Sequence, residues 1–193
     1  MNPILLRKSG PPSSVSRGRH SLIHPDCPIE QTLRSDDAET RGQLMQEPWS
    51  HKNRPDGTLF VADYHGLRVF GRSEGALNSA VEPLQRRFGH RLVVDAPSVR
   101  YAFGVPTLEP YMTVFVTGPE RYLPVIQTEF LRRRGGITRL DQRGWFILEG
   151  EGPLAGLLGY GQSLDDLMQD GPGGVGLRLS RYLPIDDDGP QAA

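Results

Sequence analysis

The chain has 193 residues, enough for one medium or two small domains, and 37% of them are hydrophobic. A formal net charge of −1 excludes a general electrostatic attraction to nucleic acid or membranes. The single cysteine excludes an intramolecular disulfide, and no apolar run approaches the roughly 20 residues of a membrane span. We therefore expect a soluble cytoplasmic protein.

The first predicted elements follow a polar N-terminal stretch. Residues 1–19, which include a Pro/Ser/Gly/Arg-rich segment, are expected to form a flexible leader. The short apolar run Ser21–Asp26 is predicted to be the first strand. A polar helix is predicted to begin near Ser35, with Leu44 and Met45 on its buried side.

A hairpin and a longer helix come next. Thr58–Tyr64 and Leu67–Gly71 are predicted strands joined by a two-residue turn at His65–Gly66. Glu74–Phe88 has apolar residues at helical spacing, and Pro83 inside it is expected to kink the helix. The apolar positions are Leu77, Ala80, Val81, Leu84 and Phe88. Extended segments within residues 90–103 complete this set.

The second half repeats that order of elements. A strand at Tyr111–Gly118 leads into a helix that is predicted to start with a capping box at Thr117–Glu120. The buried side of this helix is predicted to be Leu123, Ile126 and Phe130. The remaining predicted elements are strands at 136–141 and 145–152, a helix in 153–169 interrupted by Gly159 and Gly161, and a strand at 173–185.

Both halves therefore have the order βαββαβ. We predict an α+β protein with two tandem ferredoxin-like domains, each an antiparallel sheet with helices on one face. The predicted boundaries are 20–103 and 104–185, and residues 186–193 are expected to form a flexible acidic tail. This fold hosts many activities, so it does not identify a function.

Motifs for catalysis or cofactor binding are weak. The sequence has no G-x-x-x-x-G-K-[ST] motif, and Gly171–Gly176 matches G-x-G-x-x-G before a strand, whereas a dinucleotide site precedes a helix. His20, His24, Asp26 and Cys27 are close in sequence but lack the second ligand cluster of a zinc site. We predict no catalytic residues, no cofactor and no metal, and a metal protein or enzyme built on those residues is a weaker hypothesis.

The run Arg132–Arg134 raises the question of nucleic-acid binding. Cations at a helix C-terminus interact favourably with the helix dipole, by about 0.3–1 kcal/mol each. Gly135 is the expected left-handed residue after the helix. Consecutive helical residues point about 100° apart, so the three arginines do not form one narrow clamp. Helix capping therefore explains the run without a ligand.

Longer motifs carry a more specific signal. The segments LEPYMTVFVTGPERYLPVIQTEFLRRRGGI, PLAGLLGYGQSLDDLMQDGPGG and LSRYLPI follow one another between Leu108 and Ile185. They resemble domain V of elongation factor G, in which an EP strand leads to a PE-x-Y helix ending in RRG, then a PLA…GY segment and a strand with Y-x-P. Pro124 departs from that pattern and is expected to kink the helix.

The first half resembles domain III of the same family less closely. Its turn Gly71–Ala76 corresponds to the family's G-x-G-E-L-H turn and keeps Gly71 and Glu74. The resemblance implies that domain III leads directly into domain V at about 104–107. It also implies a chain without the family's GTPase domain, barrel domain or domain IV.

The resemblance further implies a non-catalytic, ribosome-associated protein whose partners are rRNA and ribosomal proteins, with no membrane or DNA partner. In the family, domain III lies near a small-subunit protein, and domain V lies near the large-subunit stalk base and sarcin–ricin loop. The residues expected to contact rRNA or a partner are Arg132, Arg133, Arg134, Arg139 and Arg143.

Acidic residues in the second half favour an alternative. Asp165, Asp166 and Asp170 weaken any contact with phosphate, because affinity for RNA follows the number of neutralised phosphates. The alternative is a degenerate paralogue that acts as a protein–protein interaction module.

Overall fold

The computed structural model describes residues 26–46, 57–102, 106–169 and 171–185. In the first half, the sheet has the order β2-β3-β1-β4, with β5 paired to β1, and every pairing is antiparallel. Its elements are β1 (Ile29–Arg34), α1 (Ala38–Gln46), β2 (Leu59–Asp63), β3 (Gly66–Gly71), α2 (Glu74–Phe88), β4 (Val93–Val94) and β5 (Ser98–Val99).

The second half has the same arrangement. Its antiparallel sheet has the order β7-β8-β6-β9. Its elements are β6 (Leu108–Pro119), α3 (Leu123–Arg132), β7 (Gly136–Gln142), β8 (Trp145–Pro153), α4 (Leu154–Leu157), α5 (Tyr160–Met168) and β9 (Gly174–Pro184). Both sheets place the first and third strands of the βαββαβ order at the centre, which confirms the predicted α+β fold with two ferredoxin-like units.

Alternating side chains build the core of the second half. On the central strand β6, Met112, Val114 and Val116 are buried, whereas Phe115 between them is exposed. The buried positions face the helices, because Leu123, Ile126 and Phe130 of α3 belong to the same apolar cluster. The predicted buried side of α3 is therefore confirmed. Among the described residues, no helix has the length and apolar character needed to cross a membrane.

The long helix of the first half also agrees with its periodicity. All five predicted apolar positions of α2 are buried, and the helix continues through Pro83, which is exposed. Ser73 caps its N-terminus, since the Ser73 hydroxyl accepts a hydrogen bond of 3.2 Å from the Ala76 N–H. The apolar face of α2 thus covers β3 and β1.

The start of the first half differs from the sequence prediction. The first strand is Ile29–Arg34, and residues 21–25 of the predicted strand lie outside the described residues. Ile29 and Leu33 face inward together with the polar Gln31, whose amide Nε2 donates to the Asp95 carbonyl at 2.8 Å. This inward glutamine hides the strand's apolar alternation in the sequence.

Two local features of the first half also shift. Asp37, rather than Ser35, caps α1, because its carboxylate accepts from the Thr40 N–H at 2.8 Å. Leu44 is buried as predicted, but Met45 is 40% exposed. The hairpin turn lies one residue early, since Asp63 pairs with Gly66 and leaves Tyr64 and His65 in the turn.

The predicted capping box in the second half is wrong. Thr117 belongs to β6 and is paired with Ile147, and α3 begins only at Leu123 with no side-chain cap. Thr117–Pro119, which the capping-box motif predicts to start a helix, are therefore the end of strand β6. Pro124 lies in the first turn of α3, where the missing N–H has no intrahelical partner, so it is accommodated there.

The glycines of α5 behave differently from each other. Gly159 has a φ of 73° and separates α4 from α5, as predicted. Gly161 lies within α5 and does not interrupt it. The predicted single helix is therefore two helices with one break.

The C-terminus of α3 corrects the expected position of the left-handed residue. Arg134 has a φ of 65°, whereas Gly135 is not among the residues with positive φ. Gly135 is needed for space instead, because a Cβ atom there would lie 2.5 Å from the buried Phe130 ring. Arg134 therefore has the left-handed conformation, and Gly135, which has no side chain, packs against the Phe130 ring.

Gly135→Ala should destabilise the protein by about 1–3 kcal/mol, since the added methyl group overpacks the Phe130 ring. Gly136→Ala is the matched control, because its nearest contact would be an ordinary 3.8 Å. Urea denaturation of both variants measures the difference. Equal loss of stability in the two variants would contradict this packing explanation.

Candidate functional site

Arg133 joins three helical segments at the end of α3. Its side chain is 16% exposed. The Nη1 atom donates to the carbonyls of Gly156 and Leu158, each at 3.0 Å, and Nη2 donates to the Ser163 hydroxyl at 2.8 Å. The guanidinium also lies 5.5 Å from the ring centroid of Tyr160. Arg133 therefore holds the end of α3 against α4 and α5.

Glu129 provides the anionic partner one turn earlier. Its carboxylate accepts from Nε of Arg133 at 2.6 Å and from two nitrogens of Arg132, each at 2.7 Å. Hydrogen bonds from Arg132, followed by those from Arg133, lower the pKa of Glu129 to about 2. The resulting stabilisation is complete above pH 4.5 and is lost as the pH falls towards 2.

The other two arginines of the run remain at the surface. The Arg132 side chain is 68% exposed despite its bond to Glu129. Arg134 is 59% exposed, and its Nη1 lies 3.9 Å from the carboxylate of Glu109, which is almost fully buried. Burial raises the pKa of Glu109, and the Arg134 charge opposes that increase. The RRR run therefore consists of one interior and two exterior side chains.

Arg139 and Arg143 lie elsewhere on the second sheet. Arg139 on β7 is bonded to Glu149 at 3.2 Å, and Arg143 in the β7–β8 turn lies 3.6 Å from Asp141. The seven residues of β7 separate Arg134 from Arg143 by roughly 20 Å or more. The five predicted contact residues thus do not form one patch, and each has a carboxylate close to it.

A hydrogen bond that the sequence prediction missed links the two halves. The Gly159 N–H at the start of α5 donates to the Glu74 carboxylate, with both oxygens at 3.0 Å. Glu74 belongs to the first turn of α2, so a side chain of the first half caps a helix of the second. The retained glutamate in the Gly71–Ala76 turn was the only sequence signal for this contact.

The histidine and cysteine cluster is only partly described. His20 and His24 lie outside the described residues, and the described ranges contain no group of three or more His, Cys, Asp or Glu suited to a metal. Cys27 is buried and donates its thiol to the Gly57 carbonyl at 3.4 Å. Burial raises the pKa of this thiol, which disfavours the thiolate that binds metals.

Arg133→Ala should destabilise the protein by about 2–3 kcal/mol, because it leaves the carbonyls of Gly156 and Leu158 without their charged donor and removes one of the two arginines that bind Glu129. Arg132→Ala, which loses both hydrogen bonds from Arg132 to Glu129, should cost no more than about 1 kcal/mol at its exposed position. Thermal and urea denaturation at pH 7 compare them. A larger loss for Arg132→Ala would overturn the structural role assigned to Arg133.

Glu74→Asp should expose the Gly159 N–H, because aspartate keeps the charge at the start of α2 but is one methylene too short to reach it. Amide hydrogen exchange at Gly159 should become faster than in the unmodified protein. Glu82→Asp, at an exposed position further along α2, is the control and should leave that amide unchanged. Unaltered exchange in Glu74→Asp would rule out the capping contact.

Comparison with known proteins shows that the second half is similar to a known family. Residues 106–192 match the family model described as elongation factor G C-terminus. Mitochondrial elongation factor G of Aedes aegypti is 37% identical over 82 residues, which are 42% of this chain and 11% of that protein. The Drosophila grimshawi protein of the same name is 37% identical over 78 residues, which are 40% of this chain and 10% of that protein. The chain thus matches about a tenth of the length of these relatives.

A solved structure extends the likeness in fold to most of the chain. The crystal structure of the Thermus thermophilus protein ttk003000868 has a TM-score of 0.56 and 15% identity, and the match covers 84% of this chain and 41% of that one. At this identity the match shows the fold alone. Residues 106–192 are therefore similar in sequence to the elongation factor G C-terminus, and the solved structure supports the fold of most of the chain.

Proposed function

We propose that this chain is a non-catalytic, ribosome-associated protein with a translation-factor-like role. The match of residues 106–192 to the elongation factor G C-terminus is the observation that carries the proposal. That region is distinct from the GTPase domain of the factor, so the chemistry of GTP hydrolysis is not assigned to it. We propose the cytoplasm as its compartment, where the free Cys27 thiol stays reduced.

The domain assignment of the first half is part of the proposal. Residues 20–103 are proposed to be a domain III-like unit and residues 104–185 a domain V-like unit. The same strand order in both sheets and the 84% coverage by one solved fold support this division. Residues 100–107 separate β5 from β6, which leaves no room for an inserted domain between the two units.

Exposed arginines of the second half are the proposed rRNA contacts. Arg132, Arg134, Arg139 and Arg143 have side-chain exposures of 59–88%, whereas Arg133 is withdrawn from the contact set because it is an interior anchor. Their nearby carboxylates reduce the positive potential. RNA phosphates must therefore compete with these ion pairs, and binding should be weak and sensitive to salt.

The interaction-module alternative has its own supporting observation. Asp165 and Asp166 are exposed on α5, so this helix presents negative charge to solvent. Such a surface favours a protein partner with basic residues over RNA. The two functions predict different behaviour in the same experiment.

Ribosome pelleting tests the proposed function. The purified chain should sediment with ribosomes at about 50 mM KCl and be released at about 300 mM, as expected for phosphate contacts. A double variant, Arg132→Gln with Arg134→Gln, should bind several-fold more weakly. Arg86→Gln, another exposed and ion-paired arginine but on the first half, is the control and should bind normally.

Absence from the ribosomal pellet at low salt would overturn ribosome association. Equal binding by the double variant and the control would remove these arginines from the interface. A stable protein partner recovered after RNase treatment, without ribosome binding, would establish the alternative.

A further inference from the structure

A cleft between the two halves has the size and lining of a small-molecule site. It has a volume of about 590 Å³, within the range of ligand pockets. The first half contributes the junction of β3 and α2, and the second half contributes β9. The residues that matter for its chemistry are Asp26, Arg72, Ser73, Leu177, Arg178 and Tyr182.

The topology of the second sheet opens β9 to this cleft. Among the described strands, β9 is an edge strand that pairs with β6 alone. In the register, Leu177 pairs with the buried Val114 and Arg178 with Thr113, so consecutive β9 residues point to opposite faces. The unpaired edge of β9 borders the cleft. Both the apolar Leu177 and the cationic Arg178 therefore line the same wall of the cleft.

The charges in the cleft are unequally compensated. Arg181, also in the wall, is held by Glu151 through contacts of 3.0 and 2.7 Å. Arg72 lies 3.6 Å from Asp26, and both side chains are at least half exposed, so this pair is weak. Within the described ranges, no carboxylate lies within ion-pairing distance of Arg178. Among the residues that the structure describes, Arg178 thus has no ion pair, and the ion pair of Arg72 is weak.

These two arginines enter from different halves of the protein. Arg72 follows β3, and Arg178 lies on β9. A guanidinium group binds phosphate through planar, paired donors, and a phosphate has enough oxygens and charge for two such groups. A phosphate monoester carries a charge of about −1.5 to −2 at pH 7, whereas a single carboxylate carries one negative charge, so two guanidinium groups favour phosphate.

The remaining lining suits an organic group beside the anion. Leu177 and Tyr182 are half-buried and offer apolar surface. Burial raises the pKa of Tyr182, whose hydroxyl is protonated at neutral pH even at its ordinary pKa. The wall thus combines cationic and apolar contacts, as small-molecule sites usually do.

We propose that this cleft binds a small phosphorylated organic molecule, with Arg72 and Arg178 holding the phosphate and Leu177 and Tyr182 contacting its organic part. Because the ligand touches both halves, its binding stabilises their relative position. The proposal does not depend on ribosome association.

Isothermal titration calorimetry with ADP and with pyrophosphate tests the site on the full chain. ADP should bind, and pyrophosphate should bind more weakly because it lacks an organic part. Arg178→Gln and Arg72→Gln should each lower ADP affinity by about tenfold, the loss of roughly one charged contact. Arg139→Gln, an exposed arginine outside the cleft, is the control and should change affinity less than twofold. Circular dichroism of each variant verifies that it is folded.

Several results would overturn the proposal. Lack of ADP binding at millimolar concentration would remove the site, and equal losses in all three variants would show non-specific charge attraction. Citrate binding as tight as ADP at matched ionic strength would exclude the phosphate assignment. Ribosome pelleting by Arg178→Gln separates the two functions, because that variant should retain ribosome binding if both proposals hold.

Discussion

The second half of this protein depends on one partly buried guanidinium group. Arg133 donates to a carboxylate on its own helix, to two backbone carbonyls and to a hydroxyl on α5. Lysine has a single nitrogen and could not reach all these acceptors at once, whereas the planar guanidinium can. The break at Gly159 creates the free carbonyls before α5, and Arg133 satisfies them. Arg133, which in the sequence resembles a surface charge, thus holds α3 against α4 and α5.

The resemblance to elongation factor G and the local physics explain different parts of the same run. The helix ending of α3 lies within the residues that match the elongation factor G C-terminus, and the contacts of Arg133 explain why an arginine stands there. Arg132 and Arg134 do not make these contacts with α4 and α5, and their side chains are exposed to solvent. Any contact that this run makes with a large partner must therefore use Arg132 and Arg134, and it must compete with the nearby carboxylates Glu129 and Glu109.

Periodicity predicted most of the fold, because long apolar patterns record burial directly. The stripes of α2 and α3 are buried at every predicted position. The prediction failed where a distant contact decided the local structure. Pairing with Ile147 keeps Thr117 in a strand, and the Phe130 ring requires a glycine at 135, while the left-handed residue is Arg134. Likewise, no local pattern reveals that Glu74 reaches Gly159, since the two are 85 residues apart.

The hydrogen bond between Gly159 and Glu74 is more sensitive to substitution in the first half of the chain than in the second. The donor is a backbone N–H, which every residue except proline possesses. The acceptor is one carboxylate at the end of one side chain. Sequence change around position 159 can therefore reshape the helix start without deleting the donor, whereas a single codon change at position 74 removes the acceptor. Retention of this hydrogen bond during evolution therefore depends mainly on keeping Glu74 in the first half of the chain.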